Sequence, residues 1–238
     1  MHGMALPGHT ATGGGTTPAS GIGAVVLTDM VGSTELRSRL GDLAADEVRR
    51  VHDTLLAAAV DANGGHVARW TGDGVKAVFP TASEAVAAAL EMQRGVVAYS
   101  RRADAVEAFH IRVGMSAGEY TFDDDDYHGM AVIEAARLEA LAAPGEILAS
   151  DMVRLLGQRR SEAAFEEVGE HQLKGLERPV LVHRVVDLVA PETTLPYPRR
   201  LAPDDRFPMV GRHGEAAALA RAYGVDRAAV RAGLRVHR

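Results

Sequence analysis

HVARWTGDGVKAVF, residues 66–79, is the stretch on which the fold turns. Its two runs, His66–Trp70 and Val75–Phe79, flank Thr71-Gly72-Asp73-Gly74, a turn composition that predicts a β-hairpin. Upstream, Ala24–Thr28 reads as a buried strand. Asp42–Ala62 reads as a long amphipathic helix with Val48, Val51, Leu55 and Leu56 on its apolar side, stopped by Asn63-Gly64-Gly65. Downstream follow a helix over 81–99 with Ser83 as its expected cap and a strand over 111–115. An Ala-rich helix over 129–141 and strands over 147–149 and 180–186 complete the set. The order β-α-β-β-α-β, then a helix and further strands, predicts an α+β protein. Its core is ferredoxin-like βαββαβ, an antiparallel sheet with helices on one face, followed by a C-terminal α/β extension.

The chain has 238 residues, enough for one good domain plus extensions at roughly 150 residues per domain. Residues 1–21 carry no Asp, Glu, Lys or Arg and are rich in Gly, Thr and Pro, which predicts a flexible leader. Residues 22–187 form the domain, and prolines at 191, 196, 198, 203 and 208 mark 188–208 as a linker. Residues 209–238 form an Arg- and Ala-rich tail. There are no cysteines, so disulfides, thiolate metal sites and cysteine nucleophiles are excluded. No run approaches the roughly 20 apolar residues of a membrane span, and no signal-peptide pattern opens the chain. A cytoplasmic protein without a membrane partner is the expectation. The net charge of −6 conceals a basic stretch over 199–238, so the body of the domain is acidic, which weighs against DNA as a partner. Only two lysines occur, Lys76 and Lys174.

Two aspartates stand where chemistry is expected. Asp29 directly follows the first strand, and Asp73 sits in the hairpin turn, which is expected to be exposed. Neighbouring strands in the ferredoxin-like order bring their ends together, and paired hard oxygen donors suit Mg²⁺ or Mn²⁺ shared with substrate phosphates. Val31-Gly32-Ser33-Thr34 after Asp29 places a glycine and two hydroxyls at a helix start, where backbone N–H groups attract phosphate. Neither a Walker loop nor a GxGxxG turn occurs.

Taken in order, Thr28-Asp29-Met30-Val31-Gly32-Ser33-Thr34, Thr71-Gly72-Asp73-Gly74, Gly118-Glu119, the segment from Asp126-Tyr127-His128-Gly129 through Ala135-Ala136-Arg137-Leu138, and Leu173-Lys174-Gly175-Leu176 resemble the class III nucleotide cyclase catalytic domain. The resemblance runs from about Gly23 to Val186 and implies the class III cyclase fold. It implies that Asp29 and Asp73, with the Met30 carbonyl, hold two metal ions per site. It further implies that Arg137 stabilises charge on the α-phosphate, that Lys174 contacts the triphosphate, and that Asp126 accepts from the adenine amine. The implied reaction converts ATP to 3′,5′-cyclic AMP and pyrophosphate, with GTP the alternative purine. In this family the metal aspartates come from one subunit and the base-reading and arginine residues from the other, so the implied partner is a second copy of the chain. The hairpin signature of diguanylate cyclases is missing at 71–74. Phe207-Pro208-Met209-Val210-Gly211-Arg212 resembles the entry to an ATPase domain that follows cyclase domains in some bacterial regulators.

Two positions depart from the pattern. Arg69 stands where the family has its adenine-reading lysine, four residues before the second metal aspartate; it keeps donor capacity with a larger, planar fork. Ile133 stands where an asparagine positions the ribose, and isoleucine can neither donate nor accept. These two changes support an alternative reading, a degenerate cyclase-like module that binds nucleotide or a partner without turnover.

Overall fold

The computed structural model describes residues 19–102, 105–158 and 163–188. One eight-stranded sheet organises them: β1 (Ala19–Met30), β2 (His66–Trp70), β3 (Val75–Phe79), β4 (Ile111–Asp123), β5 (Asp126–His128), β6 (Ile147–Ser150), β7 (Ala163–His171) and β8 (Val180–Asp187). The strand order is β2-β3-β1-β4-β6-β8-β7, with β5 paired to β4, and every pairing is antiparallel except β4 with β6. The first four strands lie in the order 2-3-1-4, the ferredoxin-like arrangement, and β6–β8 extend it.

Alternation along the strands decides which helix covers which face. Ala24, Val26, Val75, Ala77 and Phe79 share a core with Val48, Leu56 and Val60 of α2 (Asp42–Ala62) and with Ala85, Val86 and Ala89 of α3 (Ala82–Ser100). The intervening residues Val25 and Val78 turn to the other side and pack with Tyr120, Tyr127 and with Ala131 and Ala135 of α4 (Met130–Leu141). Helices therefore cover both faces. The expectation of one covered face holds for α2 and α3 and fails for α4, because the domain continues past the βαββαβ unit. The seat of α4 is a backbone contact: a Cβ at Gly114 on β4 would lie 2.1 Å from the Glu139 amide nitrogen and 2.2 Å from the Ala135 carbonyl oxygen.

Local chemistry departs from the sequence reading at several ends. Thr81, not Ser83, caps α3, forming a capping box in which its hydroxyl accepts from the Glu84 N–H while the Glu84 carboxylate accepts from the Thr81 N–H. Strand β1 begins at Ala19, three residues inside the expected leader, because its N-terminal half pairs with β4 out to Phe122. Three elements had no signal strong enough to read, β5, α5 (Asp151–Gly157) and β7, and of α1 (Ser33–Leu40) only the start was expected. Helix α1 buries only Leu36, and β7 is a charge-bearing edge strand. The leader before residue 19, the linker beyond 188 and the tail lie outside the described residues.

His52 on α2 is fully buried against the ring of Phe109, with Nδ1 2.8 Å from an Asp53 carboxylate oxygen and no partner at Nε2. Burial pushes its pKa below the ordinary 6.5, and the Asp53 carboxylate offsets this only in part. Above that ordinary value neither the folded nor the unfolded chain protonates His52. Below it the unfolded chain takes up a proton that the folded chain refuses, so stability falls as pH drops, by up to about 1.4 kcal/mol per pH unit. Melting temperature measured from pH 7 to 5 should decline more steeply for the native protein than for His52→Gln. Parallel curves would show that His52 is not the group responsible.

Candidate active site

Asp29 and Asp73 converge at the end of β1. The Met30 N–H donates to the Asp73 carbonyl at 2.9 Å, tying the hairpin turn to the strand end, and the Val75 N–H donates to Thr28 Oγ1 at 3.1 Å. The contact is closed by Gly74, where a Cβ would lie 1.8 Å from the Thr28 carbonyl oxygen. Asp73 is consequently half-buried rather than an exposed turn tip. Its carboxylate accepts from the Ser33 hydroxyl at the start of α1. Gly32 supplies the left-handed turn there, at φ 67°, and its carbonyl accepts from the Leu36 N–H at 2.8 Å.

The charges on the two carboxylates are coupled. Burial raises the pKa of Asp29, and the neighbouring Asp73 charge adds to this against the opposing pull of Arg112. Burial also acts upward on Asp73, but the Ser33 hydroxyl and backbone hydrogen bonding outweigh it and hold that carboxyl below its ordinary value. Two such acidic oxygen donors beside one another suit a hard divalent cation. Among the described residues no cluster of three or more His, Asp or Glu side chains gathers as a metal cage. Two carboxylates with a neighbouring backbone carbonyl fit an ion that also takes phosphate oxygens, as Mg²⁺ does.

Arg112 was not read from the sequence and belongs to this site. It sits opposite Asp29 in the β1–β4 register, and its Nε and Nη2 donate to Asp29 Oδ2 at 2.9 and 2.6 Å. Its Nε also lies 2.8 Å from Oε1 of Glu139 on α4, though the geometry is not that of a hydrogen bond. Burial raises the Glu139 carboxyl while Arg112 pulls it down. The available signal was one arginine between the buried Ile111 and Val113 of an apolar strand.

A second group lies under β5. Asp126 ends a run of four aspartates yet is only 7% exposed. Its Oδ1 accepts from the Lys76 ammonium and from the Tyr127 N–H at 2.7 Å, and its Oδ2 lies 3.4 Å from Nη1 of Arg69. Lys76 carried no role in the sequence reading. Burial acts upward on the Asp126 carboxyl, but Lys76 and the Tyr127 N–H hold it below its ordinary value.

The third group joins α4 to the loop before β8. Arg137 Nε donates to the Lys174 carbonyl at 2.8 Å. Leu173 anchors that loop in a core with Leu138 and Val182, and Gly175, at φ 85°, turns it so that Lys174 stays exposed. Ile133 is 42% exposed one turn before Arg137. Val31 and Thr34 flank Gly32 and Ser33 at the entry to α1, where the Val31 N–H donates to the His110 carbonyl at 2.9 Å. The chain thus holds Asp29 with Asp73 in one group, Arg69 with Asp126 in a second, and Arg137 with Lys174 in a third.

Residues 23–186 match the family model of the adenylate and guanylate cyclase catalytic domain, and the chain belongs to that family. A Rhizobium meliloti (strain 1021) protein carrying the provisional name adenylate cyclase 3 is 34% identical over 166 residues, covering 67% of this chain and 27% of that protein. The adenylate/guanylate cyclase/hydrolase of Silicibacter pomeroyi superposes with a TM-score of 0.61 at 32% identity, covering 71% of this chain and 98% of that one. The adenylyl cyclase CyaB of P. aeruginosa gives a TM-score of 0.59 at 25% identity, covering 72% and 97%. The chain spans between about a fifth and about half the length of the curated relatives it matches. No helix among the described residues is long and apolar enough to cross a membrane.

Proposed function

We propose that the chain is a homodimeric purine nucleotide cyclase that converts ATP to 3′,5′-cyclic AMP and pyrophosphate, acting in the cytoplasm in cyclic nucleotide signalling. The observation that carries this reading is the junction of Asp29 and Asp73 through the Met30–Asp73 hydrogen bond and the close approach at Gly74. Two Mg²⁺ or Mn²⁺ ions held by Asp29, Asp73 and the Met30 carbonyl would acidify the ribose 3′-hydroxyl and neutralise the triphosphate.

In the reaction, the 3′-oxygen forms a bond to the α-phosphorus while the bond to the bridging oxygen breaks and pyrophosphate leaves. Val31, Gly32, Ser33 and Thr34 line the approach to α1 where phosphate oxygens would lie. Arg112 donates to Asp29 Oδ2, and a cation bound at that carboxylate would free its guanidinium for phosphate oxygens. Arg137 stabilises the charge that develops on the α-phosphate and the Lys174 ammonium contacts the triphosphate; the bond from Arg137 to the Lys174 carbonyl keeps the two residues together. Arg69 and Asp126 read the base. In the dimer, the arginine and base groups of one copy complete the carboxylate group of the other. Met130, Ile133 and Leu141 of α4 remain exposed in the single chain, as a surface awaiting a second copy would be.

The test is cyclic nucleotide formation by purified protein with Mn²⁺ and ATP or GTP over a range of protein concentrations. Specific activity should rise as the dimer forms; activity independent of concentration would remove the shared site.

Ile133 favours a second reading, the degenerate module, because an exposed apolar side chain stands where the ribose needs a polar contact. Thermal stabilisation by nucleotide with no product would select it. If the missing contact is instead the element limiting a working enzyme, Ile133→Asn should raise kcat roughly 10- to 100-fold. No gain in a folded variant would place the limitation elsewhere.

A further inference from the structure

A buried lysine is a costly way to fill space. Lys76 on β3 has a side chain 8% exposed and meets a carboxylate that is itself 10% exposed. Interior ion pairs contribute little net stability, and an apolar side chain of similar volume commonly serves as well or better. What Lys76 does to Asp126 is more specific than packing.

A carboxylate offers two oxygens with about four lone-pair sites. At Asp126 the two sites of Oδ1 are filled, one by the Lys76 ammonium and one by the Tyr127 N–H at 2.7 Å. Lys76 cannot swing away easily, since its Nζ also donates to the Tyr127 carbonyl at 3.3 Å. Oδ2 has neither of these partners and lies 3.4 Å from Nη1 of Arg69, on a side chain that is 56% exposed. The edge presented to a ligand is therefore one acceptor beside one mobile donor.

We propose that Lys76 is a positioning residue that sets base preference: by holding Oδ1 of Asp126, it leaves a one-acceptor, one-donor edge that takes adenine and rejects guanine. The inference rests on the cyclase reading with Asp126 facing the base. Adenine's Watson–Crick edge carries one donor group, the 6-amine, beside one acceptor, N1, which Oδ2 and Arg69 satisfy together. Guanine can meet the same pair through O6 and N1–H, but it adds a second donor, the 2-amine, beside N1–H, and that two-donor fork needs both oxygens of a carboxylate. With Oδ1 occupied, one of these donors is buried unpaired, and sites that leave a buried polar group unpaired discriminate strongly.

The experiment measures kcat and KM with ATP and with GTP for the full chain, together with competition of each nucleotide against a fluorescent analogue. The native protein should favour ATP over GTP by at least about tenfold in kcat/KM, the range of one charged hydrogen bond. Lys76→Met frees one of the two sites of Oδ1, the other staying with the Tyr127 N–H, and should cut that ratio by about tenfold, mainly through a lower KM for GTP. Lys76→Gln, which keeps an N–H donor to Oδ1, should restore it. An unchanged ratio in folded Lys76→Met overturns the inference. A native protein that prefers GTP, or accepts both equally, overturns it even if Lys76→Met does not fold, while leaving the cyclase reading intact. Absence of both product and nucleotide binding sinks the cyclase reading and this inference with it.

Discussion

Asp73→Ala should abolish metal-dependent cyclisation, by at least about 10²-fold, while the protein still folds. The size follows from position: losing a residue that merely supports a metal ligand costs 10- to 100-fold, so losing a ligand costs more. The fold should survive because the bond that joins the hairpin to β1 is made by the Asp73 backbone carbonyl, which alanine retains. What disappears is one hydrogen bond from the half-buried Ser33 hydroxyl, worth about 1 kcal/mol. Removing the Asp73 charge also relieves the repulsion that raises Asp29. Circular dichroism and thermal melting should therefore track the native protein while product formation falls to background. Product at the native rate would end the metal assignment.

Gly74→Ala should do the opposite and damage the fold first. The added Cβ would lie 1.8 Å from the Thr28 carbonyl oxygen and 2.7 Å from its carbonyl carbon. Both are backbone atoms of the central strand β1, so no side chain can move aside. Relief requires β3 to draw back from β1, which strains the Val75 N–H bond to Thr28 Oγ1 and the Met30 N–H bond to the Asp73 carbonyl. Overpacking of this kind costs about 1–3 kcal/mol and sometimes more. For a domain of this size that lowers the melting temperature by roughly 2–12 °C. Asp73 moves with the hairpin, so cyclase activity should fall together with stability. A variant with native melting temperature and native activity would show that the approach at Gly74 is looser than the structure has it.

The two variants separate roles that a turn sequence presents as one. Thr71-Gly72-Asp73-Gly74 reads as a hairpin connection, and it is one: the Thr71 N–H donates to the Gly74 carbonyl at 2.9 Å. Gly72, at φ 88°, is there for the turn, whereas Gly74 is there for the space between two strands. Composition marks both glycines and distinguishes neither.

Period and turn chemistry in the sequence were sufficient for α2, α3, the hairpin and the middle of β1, since each rests on contacts between residues close in the chain; the ferredoxin-like order was expected from the succession of element types, while its β1–β3 and β1–β4 pairings join residues far apart in the chain. Of the candidate residues, Asp29 and Asp73 stood out by their position, and Arg137 and Lys174 only through the resemblance to the cyclase family. Weakly apolar elements were not legible: β7 pairs only with β8 at the sheet edge, and a charged edge strand has the composition of a loop. Only the tertiary structure decided that Arg112 caps Asp29, 83 residues away, and that Lys76 occupies one oxygen of Asp126. Such pairs depend on strand order and register, which place distant side chains on the same sheet face. A local pattern determines which way a side chain alternates, but the neighbour it meets there is chosen by the rest of the fold.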